Sequence, residues 1–507
     1  MKENLILVHR DPITLILALL EEGRLEEVYF ETEETQPLVG NIIKGKVTRV
    51  LPGMQAAFVD IGLERAGFLY AGEFPLSGEE SDAPHRGEVP DIRKLVREGD
   101  EITVQVIKAP IGTKGARLTA DITLPGRYLV LSPRNRVFGV SRRIRLAQER
   151  HRLRKIIQKI APEDMGLIAR TVTEGTSEAE LKGDLEYLLR VWKVIEEREK
   201  RNPPPAVLYE EPSLAIRIIR DHFTEKYSKI ITDHPQEYKK IQGFLKSIAP
   251  HRTDDLVLYE GPRPMLEVYG VEKGIREALK PVVTLPSGGT IVIEETEALT
   301  SIDVNTRSFV GTKDLEETVL MTNLEAAREI ARQIRLRNIG GMIIVDFIDM
   351  DLPRNRQKVF STLKEALRQD RAKVTIQRIS ELGLVEITRQ RLYESLTRTL
   401  GNPCPHCRGR GYLLSPRFLA GELYRKLTQE IQEKRPERVI IRAHPWLLDT
   451  LLEDLYPYLE QLEEKERVRI TFLPDRRMAE EQYEIETGPL SSLQLDPEFD
   501  RNGVRER

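Results

Sequence analysis

The stretch from residue 281 to residue 400 constrains the fold more than any other. It opens on "GTIVIEETEALTSIDVNTR", two strand-like runs joined by a short turn. A helix follows. It starts at Asp314, with Glu317 three residues on as a capping box, and Leu315, Val319, Ala326, Ile330 and Ile334 form its apolar stripe. Gly340 and Gly341 end it, and "MIIVDFIDM" reads as a buried strand. A second helix over about 354–369 and a strand in "KVTIQRIS" complete the stretch. Strand and helix alternating in this way predict an α/β layer.

A chain of 507 residues is too long for one core and suggests roughly three or four domains. Residues 1–35 predict a strand, a helix and a strand. Residues 36–74 alternate β-branched with polar residues and place glycine at each turn, the pattern of a small antiparallel barrel. The loop "PLSGEESDAPHRGEVPD" interrupts it, and strands resume at "DEITVQVIKAPIGTKGARLT". About five strands with an internal loop predict an OB-fold. Residues 126–145 give two strands and a basic cluster. "GLIARTVTEGTS" reads as a strand leading to a helix N-terminus, "EAELKGDLEYLLRVWKVIEEREK" as an amphipathic helix, and "NPPPAV" as a stiff connector. Short strands and helices alternate over 207–280, a small mixed domain fills about 416–480, and the last twenty residues are polar.

Apolar residues are 40% and charged residues 31%, as in a globular soluble chain. No apolar run reaches the length of about 18 residues that a membrane span needs. "MKENLILVHRDPITL" carries acidic residues and lacks a small-residue cleavage site, so it does not read as a signal peptide. Two cysteines cannot staple a secreted chain of this size, and a reducing, cytoplasmic setting fits better. The net charge of −3 means that nucleic-acid binding has to rest on local patches.

Several clusters carry chemistry. Asp303 and Asn305 are two apart and share one strand face; Asp346 closes a strongly apolar strand. Two such carboxylates converging at a sheet edge suit Mg²⁺, which activates water and neutralises a phosphoryl oxygen. Asn305 adds a hydrogen-bond donor for a phosphate without adding charge. Strand caps or ion-pair partners are the plainer reading of these residues. Asp349 and Glu297 are further acids, read as supporting or surface groups. In the barrel, Phe58 and Phe68 are either core or stacking platforms beside Lys114 and Arg117, as in OB-folds that hold single strands. Arg134, Arg136, Arg142, Arg143 and Arg145 form either a phosphate-binding patch or a solvated edge. Arg170 and Thr171 are adjacent, a guanidinium and a hydroxyl able to grip a phosphate.

"NPCPHCRGRGY" holds Cys404 and Cys407, the only cysteines of the chain. Flanking prolines and following glycines give a knuckle turn rather than the helix-opening CxxC of a redox pair. A structural zinc wants about four ligands. His406 sits awkwardly inside the same hairpin, so the simplest closure is two copies sharing one Cys₄ site. A redox pair or two idle thiols are the alternatives.

Jointly, "EALTSIDVNT", "NLEAAREIARQIRLRNIGGMIIVDFIDM", "GLVEITRQR" and "CPHCRGRGY" resemble the bacterial ribonuclease E/G family, in its short form without a degradosome scaffold. The resemblance implies a multidomain α+β and α/β chain. A ribonuclease-H-like domain (1–35 and 211–280) is interrupted by an OB-fold of ribosomal S-one type (36–125) and a 5′-sensor region (126–210). A deoxyribonuclease-I-like catalytic domain (281–400), a zinc link (401–415), a small domain (416–485) and a flexible tail (486–507) follow. It implies a Mg²⁺-dependent endoribonuclease for single-stranded RNA, leaving 5′-phosphate and 3′-hydroxyl ends, in ribosomal RNA processing and messenger RNA decay. The family's magnesium carboxylates match Asp303 and Asp346 and its helper amide Asn305; its RNA-binding module matches "GKVTRVLPGMQAAFVDIGLERAGFL", and the barrel's Phe58, Phe68 and Lys114 would clamp the strand. Its zinc cysteines, shared between the subunits of a homodimer or tetramer, match Cys404 and Cys407. Its 5′-monophosphate pocket matches Gly126, Val130, Arg170 and Thr171, with Lys373 where ribonuclease E has arginine. Lysine keeps the charge and loses the bidentate fork. The rival reading is a non-catalytic RNA-binding scaffold, which gains nothing from paired acids near phosphates.

Overall fold

A computed structural model describes residues 3–32, 38–75, 90–110, 114–224, 226–306, 315–380 and 383–488. The chain divides into two compact units, 1–399 and 400–507.

The first unit is built on four sheets. Residues Leu5–Arg10, Thr14–Glu21 and Arg24–Thr32 form an antiparallel meander. Its first strand pairs in parallel with Lys229–Thr232, which pairs in parallel with Leu256–Leu258. The helix expected within residues 1–35 is therefore a strand. "TLILALLE" is apolar almost throughout because both faces of this sheet are covered, so no period of two shows in its sequence. One face packs Leu15, Leu17 and Leu19 against the helices Leu214–His222 and Pro235–Ile248. The other packs Ala18 and Leu20 with Met265, Leu336 and Leu396.

Five strands close into a barrel: Ile42–Leu51, Ala56–Asp60, Gly67–Tyr70, Arg117–Thr119 and Glu101–Lys108. The first pairs with both the second and the last, which seals the ring. Val47, Val59, Leu69, Val104 and Leu118 fill it. Most of the loop expected over 75–91 lies outside the described residues.

A four-stranded sheet follows, in the order Phe138–Val140, Gly166–Ala169, Leu129–Ser132, Leu124–Pro125. The helices Ala147–Ile160 and Glu178–Arg201 pack on it. Ser177 caps the second helix and Glu180 reaches back to complete the capping box.

The last sheet of the unit runs Val282–Thr284, Thr290–Glu295, Leu299–Asn305, Gly341–Asp346, Leu384–Arg389, Val374–Ile376. The helix Leu315–Leu336 returns the chain so that Leu299–Asn305 and Gly341–Asp346 are parallel. Val319, Ala326, Ile330 and Ile334 face the sheet, with Val359 and Leu363 of the helix Pro353–Leu367 beside them. Both helices thus cover one face and leave the other to solvent. The capping residue expected at Asp314 lies outside the described residues.

In the second unit the helices Pro416–Lys434 and Pro445–Glu466 pack on strands ordered Arg469–Pro474, Arg438–Ala443, Tyr483–Gly488. The strand Tyr483–Gly488 extends past the start expected for the tail at 486; residues 489–507 are outside the described set.

Candidate active site and nucleic-acid surface

Alternation along the strand decides where Asp303 points. Thr300, Ile302 and Val304 are buried against the helices, so Asp303 and Asn305 emerge on the open face. Ile343 and Val345 do the same for Asp346. The parallel register pairs Asp303 with Asp346 directly, on strands about 4.8 Å apart. Asn305 Nδ2 donates to Asp303 Oδ2 at 2.5 Å, so the helper amide also fixes the carboxylate. Partial burial, and then the charges of Asp303 and Asp349, push the Asp346 carboxyl above its ordinary range.

That crowding is a chemical fit for a cation, and an all-oxygen set suits a hard divalent one. Among the described residues no group of three or more His, Cys, Asp or Glu stands ready to hold a metal. Mg²⁺ needs fewer, since it keeps several waters. Gly383 lets the chain pass close by. Its φ is +78°, and a Cβ there would sit 3.1 Å from the Phe347 carbonyl oxygen and 3.4 Å from Asp349 Oδ1. Asp349 therefore flanks the pair. Glu297 does not: it lies in the turn at the opposite end of the same strand, roughly 20 Å away by strand rise.

In the barrel, Phe58 and Phe68 are register partners with ring centroids 6.0 Å apart at 69°. Both are half-exposed, while Ala57, Val59 and Leu69 fill the interior. Phe68 pairs in turn with Arg117, whose guanidinium meets Glu73 at 2.7 Å. Lys114 is exposed. Two half-exposed aromatics with Arg117 as a strand neighbour leave ring surface open to a partner.

Of the residues matched to a phosphate pocket, Gly126, Val130, Arg170 and Thr171 meet at the four-stranded sheet, while Lys373 lies beside the edge strand of the aspartate sheet. Arg170 Nη1 donates to the Gly126 carbonyl at 2.6 Å and pairs with Asp221 at 2.8 Å. Thr171 shares a 2.8 Å hydrogen bond with Ser141. Val130 is half-buried opposite Ile168 and Pro125. Lys373 is exposed, and Arg371, two residues before it, is the cation of that segment felt by Arg170 and Asp221. Sequence reading passed over Arg371, Asp221 and Asp184. Buried Asp184 accepts the backbone N–H groups of Arg127, Tyr128 and Leu129 at 3.0, 2.8 and 2.8 Å. A Cβ on Gly126 would lie 2.6 Å from its Oδ2, so the turn needs glycine. The signal was legible: an acid inside the stripe Leu181, Leu185, Leu188 of an amphipathic helix. Of the basic cluster, Arg134 is held by Glu199 and Trp192, while Arg136, Arg142 and Arg145 are exposed.

Comparison with known proteins fits this geometry. The model of the ribonuclease E/G family matches residues 123–392, that of the S1 RNA binding domain residues 36–120, and that of the RNase E/G thioredoxin-like domain residues 403–488. Ribonuclease G of Haemophilus influenzae is 42% identical over 95% of this chain and 98% of its own. Ribonuclease G of Escherichia coli K12 is 43% identical over 88% and 92%. The chain belongs to the ribonuclease E/G family. Membership makes it an endoribonuclease with an S1 module for RNA. Ribonuclease E of H. influenzae is 38% identical over 93% of this chain, which spans half of that longer protein.

The thioredoxin-like part of this family member begins at the cysteine hairpin. Cys404 and Cys407 are free thiols. The Gly411 N–H meets Cys407 Sγ at 3.3 Å, and the amides of Gly411 and Gly409 pull the Cys407 thiol below its ordinary range. Gly409 and Gly411, at φ +88° and +80°, make that approach possible. His406 Nδ1 lies 2.7 Å from Glu480, and Glu481 takes the Leu414 N–H at 2.6 Å and the Arg410 guanidinium. The hairpin is thus clamped to its own domain. No helix among the described residues is long and apolar enough to cross a membrane.

Proposed function

We propose that the protein cleaves single-stranded RNA by Mg²⁺-dependent hydrolysis, leaving 5′-phosphate and 3′-hydroxyl ends, in ribosomal RNA processing and messenger RNA decay. The register pairing of Asp303 with Asp346 carries the reading. These two carboxylates would hold Mg²⁺, which supplies Lewis acidity toward a phosphoryl oxygen and acidifies a bound water. Asn305 orients Asp303 through one amide hydrogen and offers the other to the scissile phosphate. Phe58 and Phe68 stack bases, and Lys114 meets the backbone beside them. Arg170 and Thr171 receive a terminal 5′-monophosphate, with the Gly126 turn and Val130 as floor and with Lys373 as an outlying cation. Cys404 and Cys407 each give a thiolate to a zinc shared with a second copy, so that the active assembly is a homodimer or a tetramer of such pairs. The setting is the cytoplasm.

The test is cleavage of an unstructured oligonucleotide in Mg²⁺ by the parent and by Asp303→Asn. The substitution should lower the rate at least about a hundredfold, as loss of a group that orients or charges a reacting centre does, while RNA binding persists. Equal cleavage by both proteins would leave this pair without a catalytic role and place the chemistry elsewhere in the chain.

A further inference from the structure

Arg143 leaves the four-stranded sheet just after the strand Phe138–Val140 and ends in the layer that carries the aspartates. Its guanidinium donates to three consecutive main-chain carbonyls, those of Asp370 at 3.4 Å, Arg371 at 2.7 Å and Ala372 at 3.0 Å. They lie three to five residues past the end of the helix Pro353–Leu367, outside any regular helix or strand ladder. The same segment is gripped from its other side. Buried Asp370 pairs with Arg389 at 2.6 and 3.2 Å and takes the Ala372 N–H at 2.8 Å. The Lys373 carbonyl accepts the Gln390 N–H at 3.0 Å. Arg389 ends the strand that pairs with Gly341–Asp346, so the segment is an edge of the aspartate sheet. At the near end, Ser141 Oγ accepts the Arg143 N–H at 3.3 Å and shares its 2.8 Å bond with Thr171. One continuous chain of polar contacts therefore runs from Thr171 to the sheet of Asp346.

We propose that Arg143 is a positioning residue that assembles one 5′-phosphate pocket from two halves. Arg170 and Thr171 on the four-stranded sheet form the first half. The segment with Arg371 and Lys373, on the aspartate layer, forms the second. The proposal rests on the 5′-monophosphate reading given above and deepens it. Arg143 touches no phosphate; it fixes the spacing between the halves, and with it the distance from a bound 5′ end to the aspartates. A planar fork reaches several carbonyls at once, whereas a lysine ammonium is a point charge on a flexible stem.

The experiment compares one unstructured oligonucleotide bearing a 5′-monophosphate with the same sequence bearing a 5′-hydroxyl. The proteins are the parent, Arg143→Gln and Arg143→Lys. The parent should prefer the monophosphate through a lower KM. Arg143→Gln should lose that preference by about tenfold, within the usual range of coupling between sites. The loss should lie in KM for the monophosphorylated strand, with 5′-hydroxyl kinetics unchanged, which also reports an intact fold. Arg143→Lys should lose it too. Parental preference in either variant overturns the proposal, and so does equal slowing on both substrates. A parent without any preference sinks the 5′-monophosphate reading and the proposal together; a parent preference that either variant keeps sinks the proposal alone.

Discussion

Asp184 and His222 are single residues with large leverage on the structure around Arg170 and Asp221. Asp184 serves three buried N–H groups at once. Asp184→Ala strands all three, and each unsatisfied donor costs about 1–3 kcal/mol. We expect a clearly lowered thermal midpoint and faster amide exchange at Arg127–Leu129; unchanged exchange there would refute that account. His222 ends the helix Leu214–His222 and packs edge-on to Tyr29, ring centroids 6.0 Å apart. Burial, and then the Arg371 charge, hold its imidazole well below the ordinary range. The folded state keeps it neutral, while the unfolded chain takes up a proton below about pH 6.5. Its contribution is whole above that pH and is lost as pH falls toward the depressed folded value. His222→Gln should flatten the fall of the thermal midpoint below about pH 6.5; the parental slope in the variant would exclude this cause.

At the scale of elements, legibility followed how clearly one face differs from the other. The helix Leu315–Leu336 and the strands around it show their periods because one side meets a core and the other meets solvent. "TLILALLE" concealed its strand because both sides are covered. Asp303 and Asn305 were readable for the same reason, as polar residues on a half-buried strand; Asp346 stood out only as the acid closing an apolar run, and that run, read as buried, leaves Met342 exposed. The Asp221, Arg371 and Arg143 contacts were not, since they join residues far apart in sequence and leave no local period. The cysteine hairpin announced itself, but its clamps at Glu480 and Glu481 come from a distant turn. Exchanging Cys404 and Cys407 for serine should abolish zinc binding and lower the native mass. An unchanged mass and metal content, measured together by native mass spectrometry, would rule out a shared thiolate site.

The whole molecule carries a net charge of −3, so its hold on RNA has to be local. On the proposed reading, the barrel concentrates that hold in the half-exposed pair Phe58 and Phe68. Base stacking on an aromatic is worth about 1–3 kcal/mol per base. Phe58→Ala with Phe68→Ala should raise KM for unstructured RNA by at least about thirtyfold. It should leave kcat and the thermal midpoint near parental values. A collapse of stability would instead assign the two rings to the barrel's packing.

The direct pairing of Asp303 with Asp346 makes the meeting of the two carboxylates depend on strand register. Side chains on a strand change sides at every step, so inserting or deleting one residue ahead of either aspartate inside its strand would turn that carboxylate inward. A change in chain length around this centre leaves the pairing intact only when it falls in the segments between the strands, and the strands themselves behave as a ruler.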